Sequence, residues 1–89
     1  MKIFELTFDV YNFWYTSDKY GYSTVKKYFT TEEKAKNYVV NYNRNPWVYG
    51  HNGIVCIAPT SNVFIPIKDN QIKEIEVDNK TFISLITNS

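Results

Sequence analysis

The side chains best suited to chemistry are few in this chain: it has one histidine, His51, and one cysteine, Cys56. A histidine works as a general base or metal ligand only beside positioned partners. His51 stands in Gly50-His51-Asn52-Gly53, a run of turn-forming residues, and no second histidine completes a zinc spacing. Cys56 lies in the apolar run Ile54-Val55-Cys56-Ile57-Ala58, which reads as the setting of a buried, inert core thiol. A single cysteine also leaves no internal disulfide to form. The carboxylate pairs have ordinary explanations, since Glu32 and Glu33 suit the start of a helix and Glu74 and Glu76 alternate along a strand as its solvated face. Neither GxGxxG nor GxxxxGK[ST] occurs. The expectation is a protein with no catalytic residues, no cofactor and no metal site.

The aromatic residues are distributed less evenly. Tyr11, Phe13, Trp14, Tyr15, Tyr20 and Tyr22 crowd one stretch, and Trp47 and Tyr49 follow Arg44 further on. Because Phe13, Trp14 and Tyr15 are consecutive, a strand there must direct rings to both of its faces. Tyr, Trp and Arg are the types that dominate binding hot spots, each joining a large contact area to a polar handle. The expected contact surface is therefore Tyr11, Tyr15, Tyr20, Tyr22, Arg44, Trp47 and Tyr49, and the expected partner is another protein. A second reading uses the same rings to stack single-stranded nucleic acid, with Lys19, Lys26, Lys27, Lys34, Lys36 and Arg44 on its phosphates. The charge balance weakens it. Ten Lys and Arg stand against nine Asp and Glu, giving a formal net charge of +1, far from a dense positive field.

These residues must be held by a small scaffold. With 89 residues the chain suits one domain, and no change of composition divides it. Its apolar residues include nine Ile and eight Val but only two Leu and two Ala, the remainder being mostly Tyr and Phe, and β-branched and aromatic side chains favour strands. Lys2 to Tyr15 alternates as a long strand, with Phe4, Leu6, Phe8 and Val10 on one face and Glu5, Thr7 and Asp9 on the other. A hairpin leads from it to a second strand, Tyr22 to Phe29. Thr30 and Glu33 have capping-box spacing, and Ala35, Tyr38, Val39 and Tyr42 recur at helical intervals until Pro46 stops the helix. Beyond it, turn residues separate Trp47–Tyr49, Ile54–Ala58, Val63–Ile67 and Gln71–Val77, each of strand length, with Pro66 marking Val63–Ile67 as an edge. Thr81 to Ile86 fits strand or helix and is read as a last strand. The predicted fold is α+β: an antiparallel sheet of about five strands with one helix, residues 31–43, across one face.

Phe29-Thr30-Thr31-Glu32-Glu33-Lys34-Ala35-Lys36-Asn37-Tyr38-Val39, entered from a long aromatic hairpin, resembles a pattern in small uncharacterised proteins of phages and mobile elements of AT-rich bacteria. The abundance of Lys, Asn, Ile, Tyr and Phe agrees with such a source. The resemblance covers residues 1–43 and implies no catalytic residue. It implies a protein that binds and blocks host machinery, in the manner of anti-CRISPR and other anti-defence inhibitors, acting in the host cell cytosol on a host or phage protein. Many such inhibitors are acidic mimics of DNA, and a net charge of +1 favours direct protein contact instead. Self-association as a homodimer, through the aromatic surface or an exposed sheet edge, is a variant of the same reading. The acidic residues among the first nine positions exclude a secretory signal, and no apolar run is long enough to span a bilayer, so no membrane partner is expected.

Overall fold

A computed structural model describes residues 1–13, 21–50 and 53–88. Strand β1, Lys2–Phe13, is the spine of the sheet. Along one edge it pairs antiparallel with β2, Gly21–Phe29, in a register that sets Phe4 opposite Phe29 and Tyr11 opposite Tyr22. Its other edge is shared. Strand β5, Ile72–Glu76, pairs antiparallel with residues 2–6, and β3, Trp47–Gly50, runs parallel to Asn12 and Phe13. Strand β4, Gly53–Cys56, pairs with β3 and ends the order β2-β1-β3-β4. Between β5 and β3 the side-chain amide of Gln71 donates to the Thr7 carbonyl at 2.9 Å, so a side chain serves that backbone group where no strand does.

The alternation expected in β1 is present. Leu6, Phe8 and Val10 are buried against Val39 and Tyr42 of helix α1, Glu32–Arg44, together with Ile67. Ala35, Val39 and Tyr42 are the buried stripe of α1 and Tyr38 is half-buried, as the spacing requires. The helix ends at Asn45, before Pro46. Its start lies one residue later than the capping box suggests. Thr31 is the N-cap, with its hydroxyl accepting from the Lys34 amide at 3.2 Å, whereas Thr30 accepts from the Lys34 ammonium. Ile3, also fully buried, falls on the opposite face of β1.

Three expectations are corrected. The fold is α+β, but it has two helices: Asn79–Thr87 forms α2, and the strand expected over Thr81–Ile86 lies within it. Asp78 decides this, because its carboxylate accepts from the Thr81 amide at 2.7 Å and caps the helix, and Phe82, Leu85 and Ile86 then share a half-buried face. Among the described residues α1 and Ile67 occupy the Leu6 face of the sheet, and α2 contacts β2. The segment Val63–Ile67 is not a strand. Its end is held by Asn43 of α1, whose amide oxygen accepts from the Ile67 N–H and whose amide nitrogen donates to the Ile67 carbonyl, both at 2.9 Å. One side chain thus gives Ile67 the two bonds a neighbouring strand would give, and Ile67 is buried in the core. Third, the sheet is not wholly antiparallel, since β3 meets β1 in parallel after the α1 crossover.

Candidate functional site

The strand registers give the sheet two faces of different chemistry. On the face away from α1, directly opposed residues of β1 and β2 form a ladder of side-chain pairs. The Tyr28 hydroxyl donates to Glu5 Oε2 at 2.9 Å, the Thr24 hydroxyl donates to Asp9 Oδ1 at 2.9 Å, and the rings of Tyr11 and Tyr22 meet edge-on with centroids 5.5 Å apart. Burial, and after it the hydrogen bond to the Glu5 carboxylate, raise the Tyr28 phenol above its ordinary pKa. The polar groups of this face are largely engaged with one another.

The other face carries the core and, beside it, an apolar cleft of about 320 Å³. Phe8, Val10 and Val25 of the sheet form its floor, Tyr38 and Tyr42 of α1 its roof, and Trp47, Val48 and Ile54 of the β3–β4 hairpin its wall. The hairpin is fixed to the helix through the Tyr42 hydroxyl, which donates to the Trp47 carbonyl at 2.9 Å. Phe8 stacks edge-on against Tyr42 at 5.1 Å and Tyr42 runs near-parallel to Tyr38 at 6.2 Å, so the roof is a bank of rings. Lys27 supplies the one charge among the lining residues, with its ammonium 5.6 Å above the Tyr38 ring. Trp47 is 42 % exposed and Ile54 57 % exposed at the rim.

The expected contact surface is distributed across this geometry. Tyr11 and the exposed Tyr22 lie together on the ladder face. Trp47 lies at the cleft on the opposite face, and Arg44, three residues before it in sequence, is exposed in the last turn of α1. The backbone of Tyr49 is in β3, opposite Asn12, and its side chain is outside the described residues, as are Trp14, Tyr15 and Tyr20. His51 is outside them too. Cys56 corrects the reading from its apolar neighbours, because it is exposed: β4 is the last strand of the sheet, with no strand beyond it among the described residues. The described residues hold no cluster of three or more His, Cys, Asp or Glu able to hold a metal ion. None of their helices is long and apolar enough to cross a membrane.

One signal in the sequence points to the cleft wall more directly than the aromatic count. From Asn45 to Ile67 there is no Asp, Glu, Lys or Arg, and every charged residue lies in 1–44 or 68–89. This uncharged stretch contains Trp47, Ile54, Val55 and Ile65, half of the eight exposed large apolar residues of the described chain. The chain matches no protein family, no characterised protein and no solved structure.

Proposed function

We propose that the chain is a non-catalytic protein-binding module that engages its partner through the cleft between α1 and the β3–β4 hairpin. The observation that carries this reading is a concave, ring-lined cleft with a half-exposed Trp at its rim. Trp47 offers the large desolvating surface typical of hot spots, and its pocket already has fixed walls, which lowers the ordering cost of association. The partner's matching feature is an aromatic or aliphatic side chain for the cleft, with an acidic residue near enough to face Lys27. Following the resemblance of residues 1–43, that partner belongs to a host complex and binding inhibits it.

Single-stranded nucleic acid fits this site less well, since the cleft wall is drawn from the uncharged stretch and one lysine cannot track a backbone. The reading is tested by capture of partners from host lysate with the wild type, a Trp47→Ala variant and a Tyr22→Ser variant. The expected result is a specific protein retained by the wild type and by Tyr22→Ser, which alters the opposite face, and lost by Trp47→Ala. Equal retention by all three would remove the cleft from consideration. An interaction abolished by moderate salt and restored by an oligonucleotide competitor's removal would instead support the nucleic-acid reading.

A further inference from the structure

Strand β4 has one satisfied edge and one open one. Its bonded edge faces β3, with Trp47 opposite Cys56 and Tyr49 opposite Ile54, and beyond the strand the Ile57 amide donates to the Pro46 carbonyl at 2.8 Å. In an antiparallel ladder the residues bonded to the neighbour alternate with residues whose backbone groups point away. Because Ile57 bonds inward, so does Val55, and the N–H and C=O groups of Ile54 and Cys56 point outward. β4 is the terminal strand in the order β2-β1-β3-β4, so these groups meet no other strand among the described residues.

The side chains along this edge invite pairing rather than oppose it. Ile54 and Val55 are consecutive, so they stand on opposite faces, and they are 57 % and 50 % exposed. Exposed sheet edges are ordinarily protected by charge, proline or a bulge. Here the first charged residue along the chain is Arg44 in one direction and Lys68 in the other, and Gly53–Cys56 contains no proline. Residues 53–56 themselves offer no charge for an occupant to pair with. A second copy of the same strand is uncharged as well, and a two-fold contact needs a patch that complements itself, a condition an apolar, charge-free edge meets without like-charge repulsion.

We infer that β4 pairs antiparallel with β4 of a second copy, making one continuous sheet across a two-fold axis. In the symmetric register centred on Val55, Ile54 of each copy lies opposite Cys56 of the other, which satisfies all the outward backbone groups of both residues. The two Val55 side chains then meet on the axis. The cleft of each copy remains at the edge of its own α1. The dimer shares Ile54 with the rim of the cleft proposed above but uses neither Trp47 nor the α1 rings, and its readout is the mass of the purified chain alone, so the two proposals fail separately.

Sedimentation equilibrium or light scattering over a range of concentrations tests it. The expected species is twice the 10.5 kDa of one chain, dissociating on dilution. Val55→Lys sets two ammonium groups against each other on the axis and is expected to give a monomer with an unchanged cooperative melt. Cys56→Pro removes an outward N–H without touching the β3 ladder and is expected to do the same. A wild type that stays monomeric at every concentration overturns the inference, and so does a dimer that survives Val55→Lys in a folded protein.

Discussion

Among the described residues β2, β4 and β5 each have one edge with no strand beside it, and the edges of β2 and β4 are built on opposite principles. β2 carries Lys26 and Lys27 in succession, so alternation sends one ammonium to each face of that edge. β4 carries Ile54 and Val55 in succession and so presents an apolar side chain on each face. Any strand approaching β2 must desolvate or oppose a positive charge whichever way it docks, whereas one approaching β4 buries apolar surface either way. The same division runs through the chain. Residues 1–44 and 68–89 hold every charge, together with the exposed ion pairs Lys36 to Glu32 at 3.0 Å and the N-terminal ammonium to Glu76 at 2.8 Å. Exposed pairs of this kind add little stability. The comparison separates an edge flanked by charge from one without it, and the uncharged edge is the one the proposed self-pairing uses.

The most far-reaching way to break the contrast is to remove the charge. Lys26→Val with Lys27→Val would give the molecule two self-pairing edges, and no closed dimer satisfies both. The expected outcome is growth past the dimer into extended, scattering oligomers, measured by light scattering against the wild type at equal concentration. If the double variant keeps the wild-type mass, the lysines are not what protects β2, and the neighbouring α2 becomes the better explanation.

A second test asks how the uncharged stretch is held. Asn43 spends both ends of its amide on Ile67, and Asn43→Ala would leave the N–H and C=O of the buried Ile67 without those partners. Each such group costs about 1–3 kcal/mol, so the loss from both should be about 2–6 kcal/mol in a denaturant titration. Amide exchange should accelerate first at residues 57–68 while β1 and β2 stay protected until global unfolding. Simultaneous loss of protection in all of them would show that the two parts unfold as one unit and erase the energetic side of the comparison.

Asn43 also marks where sequence reasoning stops. The alternation of Phe4, Leu6, Phe8 and Val10 and the stripe Ala35, Tyr38, Val39 and Tyr42 are legible because each depends only on the period of its own element. Ile67 is not legible in this way, since its hydrogen-bond partner is a side chain on a helix far away in sequence, and Val63–Ile67 has the composition of a strand without a strand beside it. α2 was legible in principle: Asp78 stands three residues before Thr81 and four before Phe82, an N-cap ahead of an apolar stripe, but the β-branched content of Thr81 to Ile86 pulls the other way. The expected aromatic surface is divided between two faces for a geometric reason. Tyr11 and Trp47 are both aromatic and both near the same end of the sheet, yet β-strand alternation assigns them to different faces. The missing charges between Arg44 and Lys68 were visible without any structure and separate the two edges at once.

The smallest effect lies in the response to acid, and it should appear on the charged side alone. The Asp78 carboxylate is held below its ordinary pKa by the Thr81 amide and then by the Thr81 hydroxyl, and Glu76 is held low by its hydrogen bond and attraction to the N-terminal ammonium. A carboxylate lowered in the folded state binds its proton more readily when unfolded. Its contribution to stability is therefore complete above the ordinary carboxylate range and is lost as the pH falls through the lowered folded values. Both groups are solvent-exposed, so the loss is modest, but it has a location: α2 loses its cap and the end of β5 loses one of its ties to Met1, the backbone bonds between Met1 and Val77 remaining. Acidification should raise amide exchange in 76–87 before it disturbs Trp47–Cys56, where no carboxylate exists to titrate. Asp78→Ala should show fast exchange in α2 already at neutral pH and a smaller further change on acidification. Loosening of β3 and β4 ahead of α2 would mean that the hairpin depends on charges elsewhere in the fold, and the edge that looks independent of them would not be.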